Sequence, residues 1–254
     1  MLQLDGISRY FGGLPALDGV SFTIPRGRVT ALIGPNGAGK STLINCITGV
    51  DQPTGGTVLF QGQNITGLPA HRISRLGIAR TFQNLRLFPR LSVLDNVLCG
   101  LTGEGGKSML MAMLRLPYLR HRERLLRLRA MEALDRFRLS DKAFWPTAVL
   151  AYGDKKRVEL ARATVSRPEL LLLDEPVAGL NGEETGAVGD QLKRLRGSGH
   201  TILLIEHDMD LVMEIADRVV VLDSGRCIAV GTPAEIRCNP LVIEAYLGQV
   251  EVCT

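Results

Sequence analysis

The stretch Gly34-Pro35-Asn36-Gly37-Ala38-Gly39-Lys40-Ser41-Thr42 carries chemistry in its spacing, because it fits the phosphate-binding pattern G-x-x-x-x-G-K-[ST]. The backbone N–H groups of such a loop, with the positive end of the helix that follows, converge on a bound phosphate. Lys40 is expected to reach the β- and γ-phosphates and Ser41 to ligate Mg²⁺ through its hydroxyl. A Cβ at Gly37 or Gly39 would crowd the anion. A second group lies far along the chain, where Leu170-Leu171-Leu172-Leu173 runs into Asp174-Glu175. Asp174 would hold Mg²⁺ directly or through water, and Glu175 would lie beside the γ-phosphate, orienting or deprotonating the attacking water. The bland alternative is that the two acids only cap a helix. Gln83 can position the same water or ligate Mg²⁺, or it is a surface glutamine; His207 can donate to the γ-phosphate, or it is structural. Together these residues describe a Mg²⁺-dependent ATP hydrolase. Gly106-Lys107-Ser108 repeats the ending of the phosphate loop, but Leu101 stands where the first glycine must be and no strand leads in, so it reads as loop.

These residues need elements to position them. Val29-Thr30-Ala31-Leu32-Ile33 reads as a buried parallel strand feeding the phosphate loop, and Thr42-Leu43-Ile44-Asn45-Cys46-Ile47 as the helix leaving it. Residues 2–33 read as short strands and turns, with Val20–Ile24 ending at Pro25-Arg26-Gly27. Gly55–Gly62 and Ile78–Gln83 read as further strands. Tyr10-Phe11-Gly12-Gly13 offers an aromatic that either stacks on a purine or fills a small core. From 170 onward, buried strands alternate with helices: Thr201–His207 ends in a histidine, and Arg218–Val230 reads as a hairpin broken at Ser224-Gly225. This alternation predicts a doubly wound α/β core with ligands at the carboxyl ends of its strands. Lys40, Asp174, Glu175 and His207 all fall at such ends.

Residues 84–165 differ in texture. From Leu110 to Leu139, leucine and methionine recur among eight arginines, giving a helical period with a basic face. That face contacts lipid headgroups or acidic loops of a membrane partner, or is simply solvated. No aromatics interleave the arginines, which argues against a single-strand nucleic-acid platform.

The 254 residues, 45% apolar and 22% charged, suit a soluble globular chain with one core and an inserted subdomain. The net charge of +4 is too mild to imply nucleic acid. No apolar run approaches the roughly 18 residues of a membrane span. No secretory leader is expected at Met1-Leu2-Gln3-Leu4, and five cysteines without C-x-x-C pairing suit a reducing cytoplasm.

The order of phosphate loop, Gln83, Leu150-Ala151-Tyr152-Gly153-Asp154, Leu173-Asp174-Glu175-Pro176, Ala178-Gly179-Leu180-Asn181 and His207 resembles the ATP-binding-cassette (ABC) ATPases over essentially the whole chain. The most specific part is the signature ahead of the acidic strand, normally Leu-Ser-Gly-Gly-Gln. The resemblance implies a P-loop NTPase core of residues 1–83 and 166–254, with an N-terminal antiparallel β part and an inserted helical subdomain at about 84–165. It implies that Phe11 stacks on adenine, that Gln83 heads the loop sensing a membrane partner and that His207 is the switch histidine. It further implies that Ala151, Tyr152, Gly153 and Asp154 face the nucleotide of a second cassette, in a homo- or heterodimer.

Within the family the chain is similar to the ATPase subunits of branched-chain amino-acid importers, through Arg80-Thr81-Phe82-Gln83-Asn84, the insertion at about 101–148, the Ala151-Tyr152 departure and Glu244-Ala245-Tyr246-Leu247-Gly248. Asp154 and Asn181 depart from the general cassette pattern. Two membrane permease subunits and, indirectly, a solute-binding protein are the implied partners. The chain would then sit in the cytoplasm on the inner face of the membrane, with no nucleic-acid role. A urea or amide importer, an exporter subunit, a soluble cassette acting on DNA or ribosomes, and a non-catalytic nucleotide-binding regulator are the competing readings.

Overall fold

A computed structural model describes residues 1–81, 85–104 and 117–247. The chain divides into two compact units: residues 1–80, 169–175 and 189–254 form the first, residues 81–168 and 176–188 the second.

The first unit holds both sheets. Strands β1 (Leu2–Phe11), β2 (Leu14–Ile24), β4 (Gly55–Phe60) and β5 (Gln63–Asn64) form an antiparallel sheet in the order β2-β1-β4-β5. Of the short strands expected over 2–33, those over 2–24 are here one long hairpin with register shifts along it, and Val29–Ile33 is a separate strand of the second sheet. The second sheet runs β10-β9-β3-β8-β7-β6. It comprises β3 (Val29–Ile33), β6 (Ile78–Arg80), β7 (Leu170–Asp174), β8 (Thr201–Ile205), β9 (Arg218–Asp223) and β10 (Arg226–Gly231). All its pairings are parallel except the β9–β10 hairpin. Strands β3, β7 and β8 are buried at every residue, which explains their unbroken apolar runs: a central parallel strand is covered on both faces. Alternate residues sort onto the two faces. Leu32, Leu172, Leu203 and Val220 pack toward the antiparallel sheet and α1 (Lys40–Thr48), whereas Ala31, Ile33, Val219 and Val221 pack with Val212, Ile236 and Val242.

Register then fixes the site. Leu32 pairs with Ile205, and Ile205 with Asp174, so the residues following β3, β7 and β8 emerge along one edge of the sheet.

Further helices of this unit are α2 (Ala70–Arg75) and, near its end, α7 (Met209–Ile215), α8 (Pro233–Arg237) and α9 (Pro240–Leu247). The second unit is helical, with α3 (Val93–Leu98), α4 (Pro117–Arg136) and α5 (Tyr152–Thr164). The periodic stretch Leu110–Leu139 thus forms a helix over its later part, and Gly106-Lys107-Ser108 lies outside the described residues. Helix α6 (Gly182–Gly197) begins in the second unit and continues into the first. Among the described residues no helix is long and apolar enough to cross a membrane.

Candidate nucleotide site

The phosphate loop is held by contacts that explain its glycines. Gly34 has φ 148°, and a Cβ there would lie 2.0 Å from the Leu222 carbonyl oxygen on β9. Gly39 caps α1 with φ 97°, and its Cβ would lie 2.6 Å from the Ala16 carbonyl oxygen. Close packing against β2 therefore demands glycine at 39 before any anion is considered. At Gly37 a Cβ would meet no protein atom within 4 Å, and the positive φ of 82° is what favours glycine. Gly34, Pro35 and Ala38 are buried, Asn36, Gly37 and Ser41 are exposed, and Lys40 and Thr42 are half-buried. The Lys40 ammonium donates to the carbonyls of Gly34 at 2.5 Å and Pro35 at 2.9 Å. Burial pushes its pKa down from the ordinary lysine value, and the nearby Glu175 and Asp174 carboxylates pull it partly back.

Asp174 ends β7 nearly buried, with Arg80 donating to its Oδ2 at 3.0 Å. The same guanidinium donates to Asn45 Oδ1 at 2.8 Å and to Thr48 Oγ1 at 3.4 Å, so Arg80 ties the acidic strand to the helix of the phosphate loop. Sequence reasoning placed Arg80 in a strand and in the family resemblance and gave it no role at the site. Its signal is a charge ending the short strand Ile78-Ala79-Arg80, which pairs with the fully buried β7.

Glu175 stands at φ 49°, a left-handed backbone on a non-glycine residue, with its N–H donating to the Ile205 carbonyl. Its Oε1 lies 3.9 Å from Nδ1 of His207, which is equally far from the buried Glu206 carboxylate. The structure thus gathers Lys40, Asp174, Glu175 and His207 at one sheet edge. Gln83 lies outside the described residues. Phe11 ends β1 exposed rather than in a core, with the Arg9 guanidinium 4.6 Å from its ring centroid.

The oxygen donors Ser41 and Asp174 suit a hard cation that takes most of its ligands from phosphate and water. No cage of three or more His, Cys, Asp or Glu side chains occurs among the described residues. The donor set fits Mg²⁺ arriving with a nucleotide.

In the second unit, Leu150 is buried and Ala151 caps α5 without a side-chain hydrogen bond. Tyr152 is half exposed, whereas Gly153 and Asp154 are buried. The Asp154 carboxylate is taken up by Lys142 Nζ at 2.5 Å and by the Arg157 guanidinium. It is enclosed between two cations of its own unit, in the first turn of a helix where a negative charge is favoured. Sequence reasoning missed this because Lys142 lies in a separate short helical turn.

A model of the ABC transporter family matches residues 17–178, and one described as the branched-chain amino acid ATP-binding cassette transporter matches residues 226–252. The chain is 44% identical over 250 residues to the high-affinity branched-chain amino acid transport ATP-binding protein BraF of Pseudomonas aeruginosa, covering 98% of each chain. Among solved structures it resembles MJ1267, an ATP-binding cassette of an ABC transporter in its ADP conformation, at a TM-score of 0.85 and 34% identity, covering 98% of this chain and 99% of that one. It also resembles the dimeric bacterial ABC transporter cassette MJ0796, at a TM-score of 0.77 and 26% identity over 92% of this chain and 99% of that one. With the phosphate loop and the acidic strand ending at the same edge of a parallel sheet, one strand apart, these matches make the chain a member of the ABC transporter family.

Proposed function

We propose that the chain is the ATP-hydrolysing subunit of an importer for branched-chain amino acids. The observation that carries this is the meeting of Lys40, Asp174, Glu175 and His207 at one sheet edge, in a chain 44% identical to BraF over nearly its full length. The backbone N–H groups of the phosphate loop and Lys40 hold the nucleotide's phosphates, and Phe11 offers an exposed ring for adenine. Ser41 and Asp174 would hold Mg²⁺, which supplies charge neutralisation for the β- and γ-phosphates. Glu175 accepts a proton from water as the water oxygen bonds to the γ-phosphorus. The bond from that phosphorus to the β,γ-bridging oxygen breaks, its electron pair leaves with ADP, and the proton passes on to solvent or phosphate. His207, whose ring is largely exposed, donates to a γ-phosphate oxygen, and Gln83 belongs to the same machinery by resemblance.

The working unit on this reading is a dimer of cassettes, homo- or hetero-, in which residues 151–153 meet the partner's nucleotide; the dimeric MJ0796 cassette supports it. Two permease subunits would anchor the dimer to the inner face of the membrane, with a solute-binding protein acting through them. An exposed apolar group in the second unit supports permease contact. Phe88, Leu91 and Trp145 are exposed, while the buried Asn96 and Thr147 bind the Phe88 backbone. Leu85 and Leu87 are half-buried beside them.

The test has two arms. Glu175→Gln should keep ATP binding and lose turnover by about 10²–10⁴, the contribution of a general base. Turnover near that of the natural protein removes Glu175 from the role. The chain assembled with its permeases and binding protein should drive leucine uptake; uptake of urea in its place overturns the substrate.

A further inference from the structure

Tyr152 is the largest departure from the Leu-Ser-Gly-Gly-Gln pattern, since it puts a ring where that pattern has glycine. Its ring lies on Gly179: a Cβ there would meet Tyr152 Cε1 at 3.2 Å and Cζ at 3.6 Å. Its hydroxyl donates to the Ala178 carbonyl oxygen at 3.3 Å, and Lys156 Nζ stands 6.0 Å from the ring centroid. Beside it, a Cβ on Gly153 would come within 2.4 Å of Glu184 Oε1. That carboxylate is already committed, because Glu184 Oε2 accepts from the Asn181 N–H at 3.1 Å while the Glu184 N–H donates to Asn181 Oδ1 at 2.9 Å. This reciprocal cap fixes the loop 178–181 to the start of α6. All these residues belong to one compact unit.

We propose that Tyr152 is a positioning residue that fastens the start of α5 to the loop 178–181, so that residues 151–153 and the segment leaving Glu175 move as one block. Ala178 is only three residues from Glu175 in the chain. A shift of the loop beneath the ring therefore displaces the backbone that leads away from the proposed base. In a glycine signature nothing larger than a hydrogen atom would touch Gly179 from this position. The role rests on the ATPase reading above.

The experiment measures steady-state ATP hydrolysis by the full-length chain, with ATP varied and the folded fraction taken from thermal melts. Wild type must hydrolyse ATP, and its failure to do so refutes the ATPase reading itself; a Glu175→Gln variant that still turns over ATP removes Glu175 as the base and with it this role for Tyr152. Given that, Tyr152→Ala should lower kcat at least ten-fold with KM for ATP within two-fold, because the phosphate loop is untouched. Tyr152→Phe keeps the ring on Gly179 and should recover to within about ten-fold of wild type, the worth of one neutral hydrogen bond. Asn181→Ala loosens the same loop. If both act through it, the double variant with Tyr152→Ala should be no slower than the slower single variant. The proposal is overturned if kcat per folded molecule of Tyr152→Ala equals wild type, or if the two effects multiply. A rise in KM at constant kcat also overturns it, since the Tyr152 side chain, and not only the backbone at 151–153, would then hold the nucleotide.

Discussion

Replacing Ala151 with serine separates two effects that the helix start combines. Ala151 has an extended backbone, φ −60° and ψ 157°, and its carbonyl accepts the first bond of α5 from the Lys155 N–H at 3.0 Å. Its methyl group leaves the first free N–H groups of the helix without a side-chain partner. In this backbone a serine oxygen can accept from the N–H of Gly153 or Asp154, which is worth about 1 kcal/mol. For a chain of this size that raises Tm by about 2–4 °C without nucleotide. The cap uses a lone pair of the hydroxyl and leaves its proton available for an anion. A hydrogen bond to a charged oxygen contributes about 1.5–3 kcal/mol, or about ten- to a hundred-fold in association. The background is Glu175→Gln, which is expected to hold ATP without turning it over; the assay is sedimentation velocity over a concentration series, alongside melts of the nucleotide-free chain. Both Tm and ATP-driven dimerisation should rise. A raised Tm with unchanged dimerisation refutes the idea that the natural chain lacks a phosphate contact at 151. An unchanged Tm refutes the capping argument.

Three further outcomes follow from the described contacts. Lys40 has its pKa lowered by burial, so as pH rises through that lowered value the ammonium is lost and ATP affinity falls. Titration calorimetry in buffers of different ionisation heat should show proton uptake on binding there, whereas the stability contribution of this group rises with pH, because the unfolded chain then holds more protons. Asp154→Ala leaves Lys142 and Arg157 facing each other and should cost about 3 kcal/mol, read from the denaturant midpoint; an unchanged midpoint refutes the enclosed-acid account. Burial, helped by Asp51, pushes the Cys46 thiol up to about 11, whereas Cys238 is exposed. A disulfide reagent at neutral pH should therefore modify Cys238 in the native chain and Cys46 only on unfolding, and early labelling of Cys46 would refute its burial.

The residues proposed to act on phosphate were legible because their chemistry is local. A glycine loop between an apolar strand and a helix, or two acids ending a fully apolar strand, can be read without knowing what packs nearby. The common edge of Lys40, Asp174 and His207 followed from the strand ends alone, once the parallel sheet was inferred from alternation. What stayed hidden depends on contacts between distant segments. Arg80 reaches Asp174 because β6 pairs with β7, a separation of 94 residues that no periodicity reports. Asp154 looked like a charge at a nucleotide surface until Lys142 and Arg157 were seen to enclose it. Phe11 was left open between core and ligand, since alternation along β1 is disturbed by its bulges.

The left-handed backbone of Glu175 has a consequence apart from its proposed role as base. A side chain held at φ 49° costs about 1–2 kcal/mol, a cost that glycine would not bear. Glycine there would also remove the carboxylate. A library of variants ranked only by survival of heating would therefore favour molecules that endure but lack the proposed base. Anyone hardening this protein for prolonged use has to hold residue 175 fixed and gain robustness elsewhere.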